Sequence, residues 1–210
     1  MKELEKVLSV KDLERFYDTL ATKVGPNWQK SMYRAPHQIA RFEATVEYLS
    51  TVFTKDSRVL ELGSANGSMT ARLAPLVKHI DSVEISSVAI SNSPVIENVT
   101  YIHDEVINFL ENTENTYDAV IATEVLEHVL DFKKAIDLCF KAGKLVLVSM
   151  PISEPLNEEG AFNPDLVEHE TRQGDATGHL RMITPEELRS YFSTVTFYWN
   201  NNISVIVAGY

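Results

Sequence analysis

The sequence predicts an α/β fold: a doubly wound, seven-stranded sheet, mostly parallel with one antiparallel strand near the C-terminus, and helices on both faces. Three observations predict it. From Arg58 onwards short β-rich runs alternate with helical segments, a glycine-containing turn follows the first run, and two β-rich runs separated by a polar turn end the chain. Such alternation implies right-handed crossovers between parallel strands. Ligands of these sheets bind beyond the carboxyl ends of the strands.

The parallel strands are predicted in five β-rich runs, at 58–62, 80–85, 98–102, 117–122 and 144–150. Helical segments are predicted near 67–76, 104–112 and 131–142. Before them, apolar residues recur at three- and four-residue steps in "PHQIARFEATVEYLSTVF", which indicates a helix with one packed stripe.

The end of the chain follows a different pattern. A capping box, Thr184-Pro185-Glu186-Glu187, opens a short helix. The runs "TVTFYW" and "ISVIVAG" follow, separated by "NNN", which predicts a β-hairpin. The hairpin places one antiparallel strand in the sheet.

We divide the 210 residues into an N-terminal helical extension, 1–55, expected to be a lid packed on the core, and a ligand-binding domain, 56–210, with a long insertion at 152–183. No apolar run approaches the length that spans a bilayer, and the N-terminus lacks a secretory pattern, so we expect a cytoplasmic protein without a membrane role. The net charge of -11 disfavours nucleic acid as a partner. Cys139 is the only cysteine, which excludes internal disulfides.

The turn in "RVLELGSANGSMTARL" indicates a cofactor site, because small residues let a ligand approach the backbone and the next helix offers free N–H groups. The nicotinamide fingerprint G-x-G-x-x-G fails, since positions 65 and 68 hold alanine and serine. The pattern E-x-G-x-G-x-G fits better, with Glu61, Gly63, Ala65 and Gly67, and only Ala65 departs from it.

Read this way, residues from about 40 to 210 resemble the class I methyltransferases that use S-adenosylmethionine, which have a Rossmann-like fold. The resemblance implies that Glu84, at the end of the second strand, accepts hydrogen bonds from the ribose hydroxyls, and that Asp104 contacts the adenine amino group. It also implies that "YDAVIATEVLEHV" forms the fourth strand and the loop beneath the methyl donor. The implied cofactor-binding residues are Glu61, Gly63, Ser64, Ala65, Gly67, Glu84, Ile85, Asp104, Glu105 and Thr123.

Each of these motifs also has a purely structural interpretation. Glu61 and Glu84 are also typical of surface charges at strand ends, Asp104 of a helix N-cap, and Gly67 of an ordinary turn. Their joint occurrence in the right order favours cofactor binding.

Glu124, Glu127 and His128 stand at i, i+3 and i+4 in "TEVLEHV", so they would share one face if the segment were helical. This E-x-x-E-H arrangement resembles ubiquinone-pathway O-methyltransferases and small-RNA terminal 2'-O-methyltransferases, in which a bound metal activates the acceptor hydroxyl. The resemblance makes His179 the candidate fourth ligand of a divalent ion such as magnesium or zinc. Two alternatives stay open: a metal-free site with His128 or His179 as the base, and purely positional catalysis. The candidate catalytic residues are therefore His128, His179 and Glu124.

Two segments are candidates for acceptor recognition. Residues 152–180 carry seven acids against one basic residue, which suits a cationic or neutral acceptor, although a solvated loop would have the same composition. In "GPNWQKSMYRAPHQ", Tyr33 and Arg34 are candidate substrate contacts. Arg34 and Arg181 are the candidates for binding an anionic group.

These observations predict an enzyme that methylates an oxygen or nitrogen of a small molecule: a sugar, a quinone precursor or a natural-product intermediate. Two alternatives are a metal-dependent RNA 2'-O-methyltransferase, which the acidic charge opposes, and a non-catalytic cofactor-binding partner subunit, at which only Ala65 hints. The C-terminal strand ending at Tyr210 is either buried or an interface of a homo-oligomer.

Overall fold

The computed structural model describes residues 9–24, 36–151, 180–181, 183–201 and 203–210. Its strands are β1 (Arg58–Leu62), β2 (His79–Glu84), β3 (Val99–His103), β4 (Tyr117–Thr123), β5 (Gly143–Pro151), β6 (Val195–Asn200) and β7 (Ser204–Gly209). Its helices are α1 (Val10–Val24), α2 (Pro36–Val52), α3 (Ser68–Leu73), α4 (Ser87–Ser91), α5 (Val106–Asn112), α6 (Phe132–Ala142) and α7 (Pro185–Ser190). Single 3₁₀ turns follow α3 at Ala74–Leu76 and follow β4 at Leu126–His128.

The seven strands form one sheet in the order β3-β2-β1-β4-β5-β7-β6. The pairs among β1 to β5 are parallel, whereas β7 is antiparallel to both β5 and β6. Only β7 therefore runs against the others, and the predicted fold class is confirmed. The turn of the hairpin is closed by the Asn201 side chain, whose Oδ1 accepts hydrogen bonds from the N–H groups of Ile203 and Ser204.

Two element boundaries differ from the sequence prediction for local reasons. The segment predicted as one helix over 67–76 divides into α3 and a 3₁₀ turn, because Pro75 has no N–H to continue the α-helical pattern. Helix α4 was not predicted, since five residues are too few to show helical periodicity. It begins at an N-cap, Ser86, whose side chain accepts a hydrogen bond from the Ala89 N–H.

The sheet is covered on both faces, which explains the nearly continuous apolar runs of its central strands. In β1, Leu60 and Leu62 pack in the cluster that includes residues of α5, α6 and α7, whereas Val59 packs in the cluster that includes residues of α2 and α3. Within the described ranges no helix is long and apolar enough to cross a membrane.

The two N-terminal helices pack on this core. Leu49 of α2 is fully buried against the sheet, and α1 packs against α4. The predicted boundary at 55/56 falls between α2 and β1, and whether the N-terminal part is a separate lid domain stays a prediction. Of the predicted insertion at 152–183, residues 152–179 and 182 lie outside the described part of the chain.

Candidate active site

The turn after β1 has a left-handed backbone at three alternate positions. Gly63, Ala65 and Gly67 have φ angles of 65°, 49° and 75°. A Cβ atom on Gly63 would lie 2.2 Å from Cγ2 of Val125, and one on Gly67 would lie 2.5 Å from the Tyr101 hydroxyl oxygen. Both glycines are thus required by close packing as well as by conformation. Ala65 adopts the same backbone region at a cost of about 1–2 kcal/mol.

Glu84, at the end of β2, holds this turn in place. Its Oε2 accepts a hydrogen bond from the Ala65 N–H at 2.7 Å, and its Oε1 accepts one from the Ser86 N–H at 2.9 Å. Burial raises the pKa of the Glu84 carboxyl, and these two backbone donors partly oppose that rise. A carboxylate has about four acceptor positions, so Glu84 retains acceptor capacity toward a ligand.

Glu61, in β1, bonds to the helix that follows the turn. Its carboxylate is buried at 2% exposure, and Oε2 accepts a hydrogen bond from the Thr70 hydroxyl of α3 at 2.5 Å. Burial raises the pKa of Glu61 to about 7. Glu61 therefore links β1 to α3, and a direct contact with the cofactor stays a prediction.

The candidate adenine contacts lie where β3 ends. Oδ1 of Asp104 accepts hydrogen bonds from the Glu105 N–H and the Asn108 side-chain amide, and Oε2 of Glu105 accepts one from the Asn108 N–H. Glu105, and not Asp104, is thus the N-cap of α5. The Asp104 N–H donates to the Glu84 carbonyl oxygen at 3.2 Å, which places both candidate acids at neighbouring strand ends.

Ile85 and Thr123, the remaining candidate cofactor contacts, also lie at strand ends. Ile85 directly follows β2, and its carbonyl oxygen lies 2.9 Å from Nε2 of His103. Thr123 is the last residue of β4. The fold therefore brings the predicted cofactor residues to the carboxyl ends of β1 to β4.

Several buried polar atoms near these strand ends have no hydrogen-bond partner in the described part of the chain. They include the hydroxyls of Tyr17 and Ser64 and both carboxyl oxygens of Glu127. A buried polar group without a partner costs about 1–3 kcal/mol, so such atoms are expected where a polar ligand binds. The turn has no room for a side chain at position 63 or 67, and the nearby buried polar atoms lack partners among the described residues. Both features fit the binding of a nucleotide-like cofactor.

The loop after β4 is not an α-helix, so the condition for a shared helical face of Glu124, Glu127 and His128 is not met. Glu124 has a φ of 55° and lies outside the 3₁₀ turn Leu126–His128. Its Oε2 is 2.7 Å from Nη1 of Arg41, and its Oε1 accepts a hydrogen bond from Ser149 at 2.9 Å. The Glu124 carboxylate is therefore already engaged by protein groups.

Glu127 and His128 follow Glu124 in the same loop, and His128 contacts Tyr17 of α1. The Glu127 side chain is fully buried, and burial, followed by the charge of Glu124, raises its pKa well above the usual value. Nε2 of His128 lies 3.7 Å from Oε1 of Glu127, and the Tyr17 ring meets the His128 ring edge-on at 5.7 Å. These residues from distant parts of the chain form one polar cluster.

The predicted metal set is not assembled by the described residues, among which no group of three or more His, Cys, Asp or Glu side chains is arranged to hold a metal ion. His179, the candidate fourth ligand and alternative base, lies outside the described residues. A metal requirement therefore stays a prediction.

Arg181 is placed differently from the expected anion-binding role. Its guanidinium donates to the carbonyl oxygens of Leu126, Val129 and Leu130 and lies over the Phe132 ring. These bonds give it a structural role in the loop after β4. A substrate contact by Arg181 stays a prediction, and Tyr33 and Arg34 lie outside the described residues.

Sequence reasoning missed Arg41 and Tyr17. Arg41 stands four residues before Thr45 and eight before Leu49, both fully buried, so it lies on the packed face of α2. A cation on a packed helix face was the signal that could have identified it. Tyr17 had no comparable signal, because its importance depends on where α1 packs.

A mostly parallel sheet with a glycine-containing turn after β1 and acids at neighbouring strand ends defines a cofactor-binding α/β enzyme of the Rossmann-like class. The family model described as "Methyltransferase domain" matches residues 33–199, which is most of the chain. The chain therefore belongs to the methyltransferase domain family, and the prediction of an S-adenosylmethionine-dependent methyltransferase is confirmed. The finer resemblance to ubiquinone-pathway enzymes stays a prediction.

Solved structures share this fold at low sequence identity. The N-methyltransferase NodS from Bradyrhizobium japonicum WM9, in complex with S-adenosylhomocysteine, is 16% identical with a TM-score of 0.65, over 92% of this chain and 96% of that chain. Magnesium protoporphyrin IX methyltransferase (ChlM) from Synechocystis PCC 6803 with bound SAM is 12% identical with a TM-score of 0.68, over 98% of both chains. DhpI, in a complex with SAM and HEP, is 15% identical with a TM-score of 0.68, over 95% of this chain and 96% of that chain.

Proposed function

We propose that this methyltransferase transfers the methyl group of S-adenosylmethionine to an oxygen or nitrogen of a small-molecule acceptor, such as a sugar, a quinone precursor or a natural-product intermediate. One observation carries the proposal. The described part of the site has buried acids, whereas its two arginines are engaged by protein acceptors, Arg41 by Glu124 and Arg181 by backbone carbonyls. This balance suits a neutral or cationic acceptor better than a phosphate backbone.

Bound S-adenosylmethionine supplies an electrophilic methyl group on a sulfonium. In our proposal the turn from Gly63 to Gly67 lets the cofactor approach the backbone closely, and Glu84 and Asp104 bind its polar groups. Helix α1 lies beside the ends of β2 and β3, and Arg41 of α2 holds Glu124 in place. These residues bind and align the reactants, which accounts for much of the acceleration of an in-line displacement.

Proton removal is assigned to His128. A hydroxyl must lose its proton as it attacks and therefore needs a nearby base, whereas an amine need only be neutral when it attacks. The His128 side chain is 18% exposed, whereas Glu127 beside it is fully buried. The acceptor's proton would pass to a ring nitrogen of His128.

Support from similar structures concerns the kind of acceptor that their names give. NodS is named as an N-methyltransferase and ChlM as a magnesium protoporphyrin IX methyltransferase. Neither name indicates a nucleic-acid substrate, which agrees with the proposal.

The proposal is tested first by calorimetric titration with S-adenosylhomocysteine, using wild-type protein and Glu84→Ala, in chelator and again with magnesium or zinc. Next, labelled S-adenosylmethionine is incubated with phenols, amines, sugars and an RNA oligonucleotide. We expect saturable binding by the wild type that is lost in the variant, and we expect the label to be transferred to a small molecule. A folded wild type that binds no cofactor, or label that enters RNA alone, would contradict the proposal.

A matched pair of histidine variants tests the assigned base. His128→Ala should lower kcat, because it removes the proton acceptor. His79→Ala serves as the control, since His79 begins β2 at the opposite end of the strands and is bonded to Asp81. Equal losses in both variants would point to a general structural effect and not to proton transfer.

A further inference from the structure

Two acidic side chains of helix α1, Asp18 and Glu14, attach it beside the candidate cofactor site. Oδ1 of Asp18 accepts hydrogen bonds from the Ser86 hydroxyl at 2.7 Å and from the Val88 N–H at 3.3 Å. Oε1 of Glu14 lies 3.3 Å from Nε2 of His103. Both side chains contact residues at or just after the ends of β2 and β3, which carry the predicted ribose and adenine contacts, so α1 lies next to these residues.

From this position α1 places Tyr17 among the site residues. Its ring packs edge-on against His128, with 5.7 Å between ring centroids, and against Phe16, with 5.0 Å. Its hydroxyl is buried and has no hydrogen-bond partner in the described ranges. Burial and the charges of Glu127 and Glu84 raise the pKa of Tyr17 well above the usual value, so the hydroxyl stays neutral.

The contacts of α1 and of the Tyr17 ring locate Tyr17 relative to the turn. Glu84 ends β2 and Glu127 follows β4, and these strands flank β1 in the sheet. Asp18, next to Tyr17 in α1, bonds to Ser86 just after β2, and the Tyr17 ring contacts His128 just after β4, so Tyr17 lies near the carboxyl end of β1, where the turn from Gly63 to Gly67 begins.

The chemistry of this position favours a cation. Two buried carboxyls and a phenolic oxygen are electron-rich, and the two arginines whose charges act on Glu127 are engaged by other groups, Arg41 by Glu124 and Arg181 by backbone carbonyls. A positively charged ligand would lower the electrostatic energy of this arrangement, whereas a neutral ligand of the same shape would not.

Resting on the proposed cofactor site, we propose that Tyr17 is a cofactor-binding residue whose hydroxyl oxygen recognises the positive charge of the methyl donor. Helix α1 then closes more tightly over S-adenosylmethionine than over S-adenosylhomocysteine, which lacks the sulfonium charge. Release of the spent cofactor is thereby favoured once the methyl group has been transferred.

The test compares Tyr17→Phe with wild type by calorimetric titration with each cofactor form and by thermal unfolding without ligand. Phenylalanine removes a hydroxyl that has no partner, so the Tm of the ligand-free protein should stay the same or rise. Affinity for S-adenosylmethionine should fall about 10-fold or more, the effect of one polar contact to a charged group, and that for S-adenosylhomocysteine less than about 2-fold.

Tyr117→Phe is the matched control. The Tyr117 hydroxyl donates to Oδ2 of Asp81 at 2.8 Å, at the opposite end of the strands. Its loss should lower the Tm and leave the ratio of the two affinities unchanged.

Equal weakening of both cofactor forms by Tyr17→Phe, or a fall in Tm like that of the control, would show a structural role and overturn the inference. Unchanged affinities would overturn it as well. A wild type that binds neither form would instead remove the proposed function itself.

Discussion

Nη1 of Arg41 lies 2.7 Å from Oε2 of Glu124, and this ion pair joins helix α2 to the loop after β4. The arginine side chain is 11% exposed and the glutamate 21%. Glu124 also accepts a hydrogen bond from Ser149 in β5, and Arg41 donates one to Ser204 in β7. One ion pair thus fixes the position of the loop that carries Glu127 and His128.

Arg41→Met should lower the free energy of unfolding by about 2 kcal/mol, because it leaves a mostly buried carboxylate without its partner. It should also raise KM or lower kcat, since the loop after β4 loses its tie to α2. Urea denaturation and steady-state kinetics measure both effects. Arg72→Met is the control: its ion pair with Glu43 is about half exposed, so its loss should cost no more than about 1 kcal/mol. A loss no larger than that of the control would contradict the prediction.

Ala65→Gly should raise the free energy of unfolding by about 0.5–1 kcal/mol. Glycine relieves the strain of a side chain at a φ of 49°, and its greater freedom in the unfolded chain offsets only part of this gain. The control is Ala44→Gly within α2, which should destabilise by about 1 kcal/mol. If both variants destabilised equally in chemical denaturation, Ala65 would not be strained.

Glu84→Gln should weaken S-adenosylhomocysteine binding more than about 10-fold. Both Glu84 oxygens accept backbone N–H groups, and an amide must turn its own NH₂ toward one of these donors, which costs about 1–3 kcal/mol. Calorimetric titration measures the affinity. Glu97→Gln, on an exposed residue between α4 and β3, should bind like wild type. Full affinity in the Glu84 variant would exclude it from the cofactor site.

The pKa of Glu61 predicts how stability varies with pH. Its folded pKa of about 7 lies above the usual 4.5, so the folded state binds the proton more tightly. The contribution of Glu61 is thus fully present below pH 4.5 and is lost as the pH rises through about 7. The loss amounts to about 3 kcal/mol at most.

Urea denaturation at several pH values, comparing wild type with Glu61→Gln, measures this slope. Other buried acids such as Glu84 contribute in the same direction, so the difference between the two proteins isolates Glu61. The variant should depend less on pH between 4.5 and 7, whereas Glu47→Gln, on the exposed side of α2, should keep the wild-type slope. Identical slopes in wild type and Glu61→Gln would contradict the assigned pKa.

The sequence determined the sheet, the position of the cofactor turn and the family. These features are visible as local signals: the β-rich runs, the glycines Gly63 and Gly67, and the acids Glu61 and Glu84. They are local because backbone conformation and the spacing of buried residues are set over a few neighbouring positions. Even the departure at Ala65 was visible, although its left-handed backbone was not.

Only the tertiary structure decided which distant side chains meet. It paired Arg41 with Glu124, engaged Arg181 with the carbonyls after β4, and brought Tyr17 against His128. Each of these contacts depends on how a helix packs on the sheet. Helix packing is set by the summed burial of many side chains, and the spacing of residues within one segment does not predict it.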